Sequence, residues 1–195
     1  MDQFPVLDKG LRSPSANKQC ETILQFSALI QNNSRDTILL NTALLKLADV
    51  FQSANNLSRY CVLSVLLQCG SHIRRVLNGD EFLKRTTFVL ASNDPIARAL
   101  TLRVLGACAV LCSDWLQVHH QVRMALSSKE SPEVLAAIFA LDRLCALSSR
   151  LSQGVLPCII QLLESMTVQL DARVRLRTHG GALSGPTEAL SADPR

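Results

Sequence analysis

One motif recurs along the chain at intervals of about 40 residues, and this recurrence constrains the fold more than any other feature. Its clearest copy spans residues 93–106, and looser copies begin at Asn55 and Ser131, which lie 39 residues before and 37 residues after Asp94. A weaker copy begins near Ser15. Each clear copy opens with Asn, Asp or Ser, the residue types that cap helix N-termini, and continues as a long apolar segment. Repeats of this length without strand patterns are typical of helical hairpins stacked into a solenoid.

The composition fits that class. The 195 residues are enough for about four hairpins, and 48% of them are apolar while only 4% are aromatic. We therefore predict an all-α fold, an α-solenoid of about four HEAT- or armadillo-like repeats over residues 15–170. A polar lead-in is expected at 1–14, and a disordered tail at 171–195, where apolar periodicity is lost. Arrays of this kind usually act as surfaces for partners and are rarely enzymes.

Apolar periodicity and capping signals predict eight helices in the repeat region. The fifth of them is apolar almost all round, so we expect it to be buried on several sides. Gly70 is expected to cap the end of the third. The predicted ranges are about 16–32, 36–53, 57–70, 80–90, 94–111, 114–126, 132–149 and 152–169, with a connector at 71–79.

The seven cysteines indicate a reducing compartment. Their number is odd and most lie inside apolar helical pattern, which favours buried thiols in a cytosolic or nuclear protein over a disulfide scaffold. Cys108 and Cys112 share a helix face, but the chain has no Cys-x-x-Cys pair. The neighbouring His119 and His120 would point about 100° apart on a helix, so a zinc site is not expected.

Charge and hydropathy exclude further classes. The net charge is +4, and residues 59–123 hold eight basic and four acidic residues, a mild bias that falls short of a strong polyanion binder. No run of about 18 uncharged apolar residues predicts a transmembrane span. Residues 1–15 carry charges and no apolar core, so they are not a secretory signal.

Catalytic motifs are missing from the sequence. It has no Gly-x-Ser-x-Gly elbow, no phosphate-binding glycine loop and no His-Glu-x-x-His. Asp80 and Glu81 are adjacent and suit the positive N-terminus of a helix better than a catalytic cleft. We predict that the chain is not an enzyme and has no cofactor and no metal.

Three residues are candidates for stabilising the stacking of the repeats. Arg59 and Arg98 occupy equivalent repeat positions and are expected to support stacking along the array. Asp94 lies four residues before Arg98, a spacing that fits either a local ion pair or a hydrogen bond between repeats. A contact of these two residues with a partner stays open as a third interpretation.

A basic cluster is the candidate contact for partners. It consists of Arg74, Arg75, Lys84 and Arg85, around one connector and one helix start. Two interpretations remain open: a solvated rim, or a contact with nucleic acid or an acidic loop of another subunit. Phe82 and Phe88 are spaced as core residues and leave no aromatic platform, so sequence-specific reading of RNA is disfavoured.

Many short segments, taken in order, carry a resemblance to a known family. They are Leu7–Ser13, Gln19–Glu21, Leu45–Phe51, Arg59–Leu63, Leu77–Phe82, Lys84–Arg85, Ser92–Pro95, Ala97–Ala99, Thr101–Arg103, His119–His120 and Glu133. On these residues the chain resembles the N-terminal part of the Integrator complex subunit 7 family over roughly residues 7–165. Full members are several times longer, so the resemblance is to a truncated form, and nothing in it covers the tail from about 171.

The resemblance implies a non-catalytic scaffold of a nuclear assembly. That assembly associates with RNA polymerase II, cleaves nascent transcripts such as small nuclear RNA 3′ ends and attenuates transcription, and the family is also linked to the DNA-damage response. The implied partners are other Integrator subunits and, indirectly, the polymerase; weak nucleic-acid binding stays open and no membrane is expected. The implied location is the nucleus, with the cytoplasm also open. The alternatives are a nucleic-acid-binding helical-repeat module and an adaptor- or coat-type trafficking solenoid.

Overall fold

The computed structural model describes residues 3–180, and these residues form an all-α fold with no strand. Residues 181–195, where most of the expected tail falls, lie outside the described residues. Helices α1–α11 span Gln3–Leu11, Ala16–Asn32, Thr37–Ser53, Asn56–Gln68, Gly70–Ile73, Gly79–Thr87, Pro95–Ala107, Ala109–Cys112, Leu116–Leu126, Ser131–Cys145 and Ser149–Gly180, and a 3₁₀ turn spans Phe88–Ala91. None of the described helices is both long and apolar enough to cross a membrane.

The chain divides into two compact units, residues 1–155 and 156–195. In the first unit, four pairs of helices that lie about 40 residues apart along the chain pack on each other. Helix α2 packs on α4, α4 on α7 and α7 on α10, and we call these four helices the row. Helix α3 packs on α6 in the same manner. The second unit begins at Leu156 and is described through Gly180 as the remainder of α11.

The core of the first unit lies between these helices. Its largest fully buried side chains include Phe26 of α2, Phe51 of α3 and Phe82 of α6. Helix α7 buries Leu102 and Leu105 almost completely, as expected from its apolar circumference. Burial of each such side chain stabilises the fold by roughly 1.5–3 kcal/mol, so the row is held mainly by apolar contact.

Side-chain caps precede α3, α4 and α7. Asn55 accepts a hydrogen bond from the Ser58 N–H at 2.9 Å, Asp94 from the Ile96 N–H at 2.9 Å, and Asp36 from two N–H groups of α3. Each cap satisfies backbone donors that the first helical turn leaves unpaired. The prediction was wrong at Ser131, which is already helical; Glu130 precedes it and makes no side-chain cap.

The N-terminal segment differs from the expected polar lead-in. Residues 3–11 form α1, which buries Leu7 and Leu11 and places the Phe4 ring edge-on to Phe26, with 6.3 Å between the ring centroids. Phe4, Leu7 and Leu11 are three and four residues apart, which is helical spacing. That apolar stripe outweighs the charges between its members.

Other helix boundaries also depart from the prediction. The helix expected over 94–111 is broken at Cys108, where α7 ends and α8 begins. Gly70 does not cap α4 with a left-handed backbone, since no described residue has a positive φ. Helix α11 continues through Gly180, so residues 171–180 are helical where disorder was predicted.

Candidate interaction site: polar contacts along the row

At each junction of the row, a side-chain hydrogen bond joins the two neighbouring helices. Each lies near the N-terminal ends of its two helices and joins residues 35 to 39 positions apart. We call these contacts the polar ladder. They are Ser58 Oγ to Gln19 Oε1 at 2.9 Å, Asn56 Nδ2 to Asp94 Oδ2 at 2.6 Å, and Arg98 Nε to Glu133 Oε1 at 2.9 Å.

Arg59 supports the middle contact from within α4. Its Nη1 donates to Asn56 Oδ1 at 3.0 Å, while Nε and Nη2 donate to the carbonyls of Phe51 and Gln52 at 2.9 and 3.3 Å. Its guanidinium also lies 6.0 Å from the centre of the Phe51 ring. Burial lowers the pKa of Arg59 from its ordinary value, and the nearby Asp94 carboxylate opposes that shift. Arg59 therefore fixes the side chain of Asn56 that reaches the next helix.

Arg98 occupies the equivalent position on α7 and uses its donors differently. Its Nη1 donates, at 2.6 Å, to the carbonyl of Ser92, a residue that lies shortly before α7. Arg59 likewise donates to the carbonyls of Phe51 and Gln52, which lie shortly before α4. The Nε and Nη2 atoms of Arg98 both donate to Oε1 of Glu133 on α10. The Glu133 side chain is only 8% exposed and that of Arg98 26%. Burying a carboxylate this deeply is tolerable only because a hydrogen-bonded cation compensates for the lost water.

Asp94 has two roles at the start of α7. Its carboxylate caps the helix and accepts the Asn56 hydrogen bond from α4. That hydrogen bond is the main reason why the pKa of Asp94 lies below its ordinary value of 3.8; burial opposes the shift, and the α7 N–H groups and Arg59 add to it. Of the two arrangements compatible with its spacing, the structure contains the hydrogen bond to a neighbouring helix.

The basic cluster is only partly available to a partner. Arg85 is held by carboxylates, with Nη1 2.7 Å from Asp49 on α3 and Nη2 2.9 Å from Glu81. The pKa of Arg85 is raised, mainly by its hydrogen bond with Glu81. This side chain joins α6 to α3 and therefore has a structural use.

The other three members of the cluster are exposed. Arg75 nevertheless donates to the Ser34 carbonyl at 3.1 Å. Arg74 lines a surface depression that also contains Asp142, so a carboxylate shares its surroundings. Of the four members of the basic cluster, Arg74 and Lys84 are therefore the most available to a partner.

The two phenylalanines near this cluster have opposite environments. Phe82 is fully buried, as predicted, but Phe88 is 66% exposed, so its assignment to the core was wrong. Phe82, Thr86 and Val89 are buried and share one helical face, whereas Phe88 lies six residues after Phe82 and therefore about 120° from it around the helix. A spacing of six residues does not return to the same helical face, so it did not support a core position for Phe88.

Cys108, Cys112 and His119 are buried around α8. Cys112 Sγ lies 3.6 Å from the carbonyl oxygens of Leu105 and Cys108. Burial raises the pKa of Cys108 and raises that of Cys112 to about 12, so both thiols stay protonated at neutral pH. His119 is buried with Nε2 2.6 Å from the Ser113 carbonyl. Among the described residues, no three His, Cys, Asp or Glu side chains are placed to hold a metal ion.

Sequence reasoning missed four members of the ladder: Gln19, Asn56, Ser58 and Glu133. A usable signal existed, since each is a polar residue within the first turns of a row helix. What the sequence does not show is which polar residue of the next helix each one meets. That pairing depends on the rotation of two helices that are far apart along the chain.

Comparison with known proteins places the chain in a family. The family model described as "Integrator complex subunit 7, N-terminal" matches residues 4–178. Integrator complex subunit 7 of Gallus gallus and that of Homo sapiens are each 42% identical to this chain over 170 residues, which is 87% of the chain. The Integrator complex subunit 7 homolog of Dictyostelium discoideum is 38% identical over 160 residues, 82% of the chain.

The chain belongs to the Integrator complex subunit 7 family. The family match runs through residue 178, beyond the 7–165 over which the resemblance was expected. The chain spans 18% of the length of the Gallus gallus and Homo sapiens relatives and 16% of the Dictyostelium discoideum relative. All six residues of the polar ladder lie within the region that the family model matches.

Proposed function

We propose that this chain is a non-catalytic scaffold segment of the Integrator complex. The observation that carries the proposal is the 42% identity to Integrator complex subunit 7 over 87% of the chain. The location that follows is the nucleus. The role that follows is support of RNA polymerase II-associated small nuclear RNA 3′-end processing and of transcription attenuation, with a further role in the DNA-damage response. The chemistry of these processes lies in other subunits.

The architecture proposed for this role is an α-solenoid of HEAT- or armadillo-like hairpins over residues 15–170. Support comes from the row, whose helices begin at Ala16, Asn56, Pro95 and Ser131. It also comes from the packing of α3 on α6, which lie about 40 residues apart along the chain like the helices of the row. Each repeat in such an array buries apolar surface only on its neighbours. Apolar contacts have no preferred direction, so they do not by themselves fix the position of one helix along the next. We assign Arg59, Asp94 and Arg98 the role of fixing the register between repeats through the polar ladder. A fixed register keeps the outer surface rigid enough to hold other subunits.

Affinity purification of the tagged full chain from nuclear extract, followed by mass spectrometry, tests this function. We expect Integrator subunits to be enriched, and the polymerase to be recovered through them. An Arg35→Ala variant is the matched control and should recover the same set, because Arg35 is exposed and lies outside both the polar ladder and the basic cluster. Recovery of vesicle-coat or adaptor proteins without any Integrator subunit would instead support the trafficking alternative.

Nucleic-acid binding is the second candidate, favoured by the exposure of Arg74, Arg75 and Lys84. We expect only weak binding that does not depend on sequence and weakens as salt rises, since few phosphates can be neutralised. Reversing the charges of Arg74, Arg75, Lys84 and Arg85 should abolish it. Nanomolar, sequence-selective binding at physiological salt would rank this function first.

A further inference from the structure

An apolar groove lies between the 3₁₀ turn Phe88–Ala91 and α9. It has a volume of about 620 Å³, and Phe88, Leu90, Trp115 and Leu116 line it. Phe88 is 66% exposed and Leu116 is 55% exposed, so large apolar side chains face water here. We call this concavity the α9 groove.

The α9 groove concentrates aromatic side chains in a chain that has few. The sequence contains six Phe, one Tyr and one Trp, and the single Trp and one Phe line this groove. Trp and other large side chains in a pocket supply most of the binding energy in protein interfaces. An exposed Phe beside a half-buried Trp in one groove therefore points to a partner, whereas isolated surface leucines do not.

The length of the groove sets the size of its occupant. A second depression shares Leu90 and Gln121 with the α9 groove and continues along α9 to Met124, which is 59% exposed. Leu116 and Met124 are eight residues apart, a distance of about 12 Å along a helix. A helix of two to three turns, with apolar side chains at positions i, i+4 and i+7, matches that length.

The charges around the groove favour an acidic occupant. Lys84 lies four residues before Phe88, Arg123 lies on α9, and both are exposed, as is His120 in the groove wall. The exposed carboxylate beside the groove is Asp114, next to Trp115. Glu81, on the same helix as Lys84, is paired with Arg85. The border is thus net positive, and complementary charge steers and orients a partner.

We propose that the α9 groove binds an acidic amphipathic helix of another protein. The apolar face of that helix lies against Phe88, Trp115 and Leu116, and its Asp or Glu residues face Lys84 and Arg123. The inference rests on the proposed scaffold function for the source of this helix, another subunit of the assembly. The shape, aromatic content and charge of the groove support it independently of that source.

Tryptophan fluorescence of the full chain tests the proposal directly, because Trp115 is its only tryptophan. The probe is a synthetic helical peptide of about 14 residues, or four turns, without Trp, carrying Leu at i, i+4 and i+7 and Glu on both flanks. We expect a saturable change in Trp115 emission. A peptide with Lys in place of every Glu should bind at least about tenfold more weakly. A peptide with Ser in place of every Leu should not bind.

Variants of the chain locate the binding. Phe88→Ser and Leu116→Ser should each weaken binding of the Leu/Glu peptide by about tenfold or more. Both side chains are more than half exposed, so circular dichroism should show an unchanged fold. Leu57→Ser, which removes a leucine that is 55% exposed on α4, is the matched control and should bind like the unchanged chain. The double variant Lys84→Glu, Arg123→Glu should prefer the Lys peptide.

Several outcomes would overturn the inference. The first two are the absence of a saturable change with the Leu/Glu peptide and a loss of peptide affinity in Leu57→Ser equal to that in Phe88→Ser. The third is tighter binding of the Lys peptide than of the Leu/Glu peptide by the unchanged chain. The fourth is displacement of the Leu/Glu peptide by a single-stranded RNA oligonucleotide at a concentration below that of the peptide. The affinity purification above separates the two proposals. Enrichment of Integrator subunits without peptide binding would reject the groove alone, and peptide binding without such enrichment would reject the scaffold function alone.

Discussion

The α4–α7 and α7–α10 junctions occupy successive positions in the same row, yet they are held by different chemistry. At α4–α7 a neutral amide, Asn56, donates to the capping carboxylate Asp94. At α7–α10 a guanidinium meets a buried carboxylate, Glu133. Arg59 and Arg98 are equivalent in the repeat, but only Arg98 crosses to the next helix. The repeat motif thus sets the position of the polar contact at each junction but not the residue types that make it.

The backbones at the two junctions also differ in how closely they can approach. A Cβ added at Gly106 of α7 would lie 2.9 Å from the Ala140 Cα of α10 and 2.9 Å from the Phe139 ring. The guanidinium carbons of Arg103 and Arg143 lie 5.9 and 5.2 Å from the centre of that ring. Eight residues after Arg59, the position equivalent to Gly106 is Leu67, whose side chain is 46% exposed. The α7–α10 junction therefore has a close backbone contact that the α4–α7 junction lacks at the equivalent position.

The largest difference should appear when each polar contact is cut. Glu133→Ala leaves Arg98 partly buried without its carboxylate and should cost about 3 kcal/mol of unfolding free energy. Asn56→Ala removes the hydrogen bond to Asp94 and the one accepted from Arg59, but Arg59 keeps its two carbonyl partners, so the cost should be about 1.5 kcal/mol. Urea unfolding followed by circular dichroism measures both. The double variant Arg98→Met, Glu133→Leu should recover most of the loss, and equal losses for Glu133→Ala and Asn56→Ala would remove the distinction between the junctions.

The second test concerns the close approach at α7–α10. Gly106→Ala should cost about 1–3 kcal/mol, because the nearest atom is backbone and cannot move aside as a flexible side chain can. Gly70→Ala is the matched control. It meets nothing within 4 Å and should be neutral or stabilise the fold by up to about 1 kcal/mol. Thermal unfolding that ranks Gly70→Ala below Gly106→Ala would contradict the packing described here.

A third, smaller effect should separate the two arginines. Arg59→Lys keeps the charge but loses the planar fork that bonds Asn56 and the Phe51 and Gln52 carbonyls, and should cost about 1 kcal/mol. This loss should shrink in an Asn56→Ala background, because Arg59 acts partly by holding Asn56. A double-mutant cycle measures that coupling, and strict additivity would show that Arg59 does not support the α4–α7 contact.

The smallest effect is a pH dependence at Asp94. Asp94→Asn keeps a capping side chain and removes the charge. Because the folded-state pKa of Asp94 is lowered, its ionised form stabilises the fold above the ordinary value of 3.8, and this stabilisation is lost as the pH falls through the folded-state pKa. The unchanged chain should therefore exceed Asp94→Asn in stability at pH 7, with the difference disappearing in acid. Unfolding curves between about pH 7 and pH 2 test this sign; a difference that grows on acidification would reverse it.

The basic cluster and the α9 groove show where sequence reasoning has less reach. Arg74, Arg75, Lys84 and Arg85 are close in sequence, but Arg85 is directed to Asp49, which is 36 residues away. Phe88 was assigned to the core, but it lies six residues after Phe82 and therefore about 120° from the buried face of the helix. For Arg85 a long-range contact changed the meaning of a local pattern, whereas for Phe88 the helical spacing itself was misjudged.

The sequence by itself determined the helical class, the spacing of the row and the caps at Asn55 and Asp94. These depend on interactions within a few residues, such as apolar periodicity and a side chain bonding the first helical turn. Only the tertiary structure decided that Asn56 meets Asp94, that Arg98 meets Glu133 and that Phe88 faces a groove. Such pairings depend on the rotation and separation of helices whose residues lie 27 or more positions apart, and those are set by the packing of the whole core.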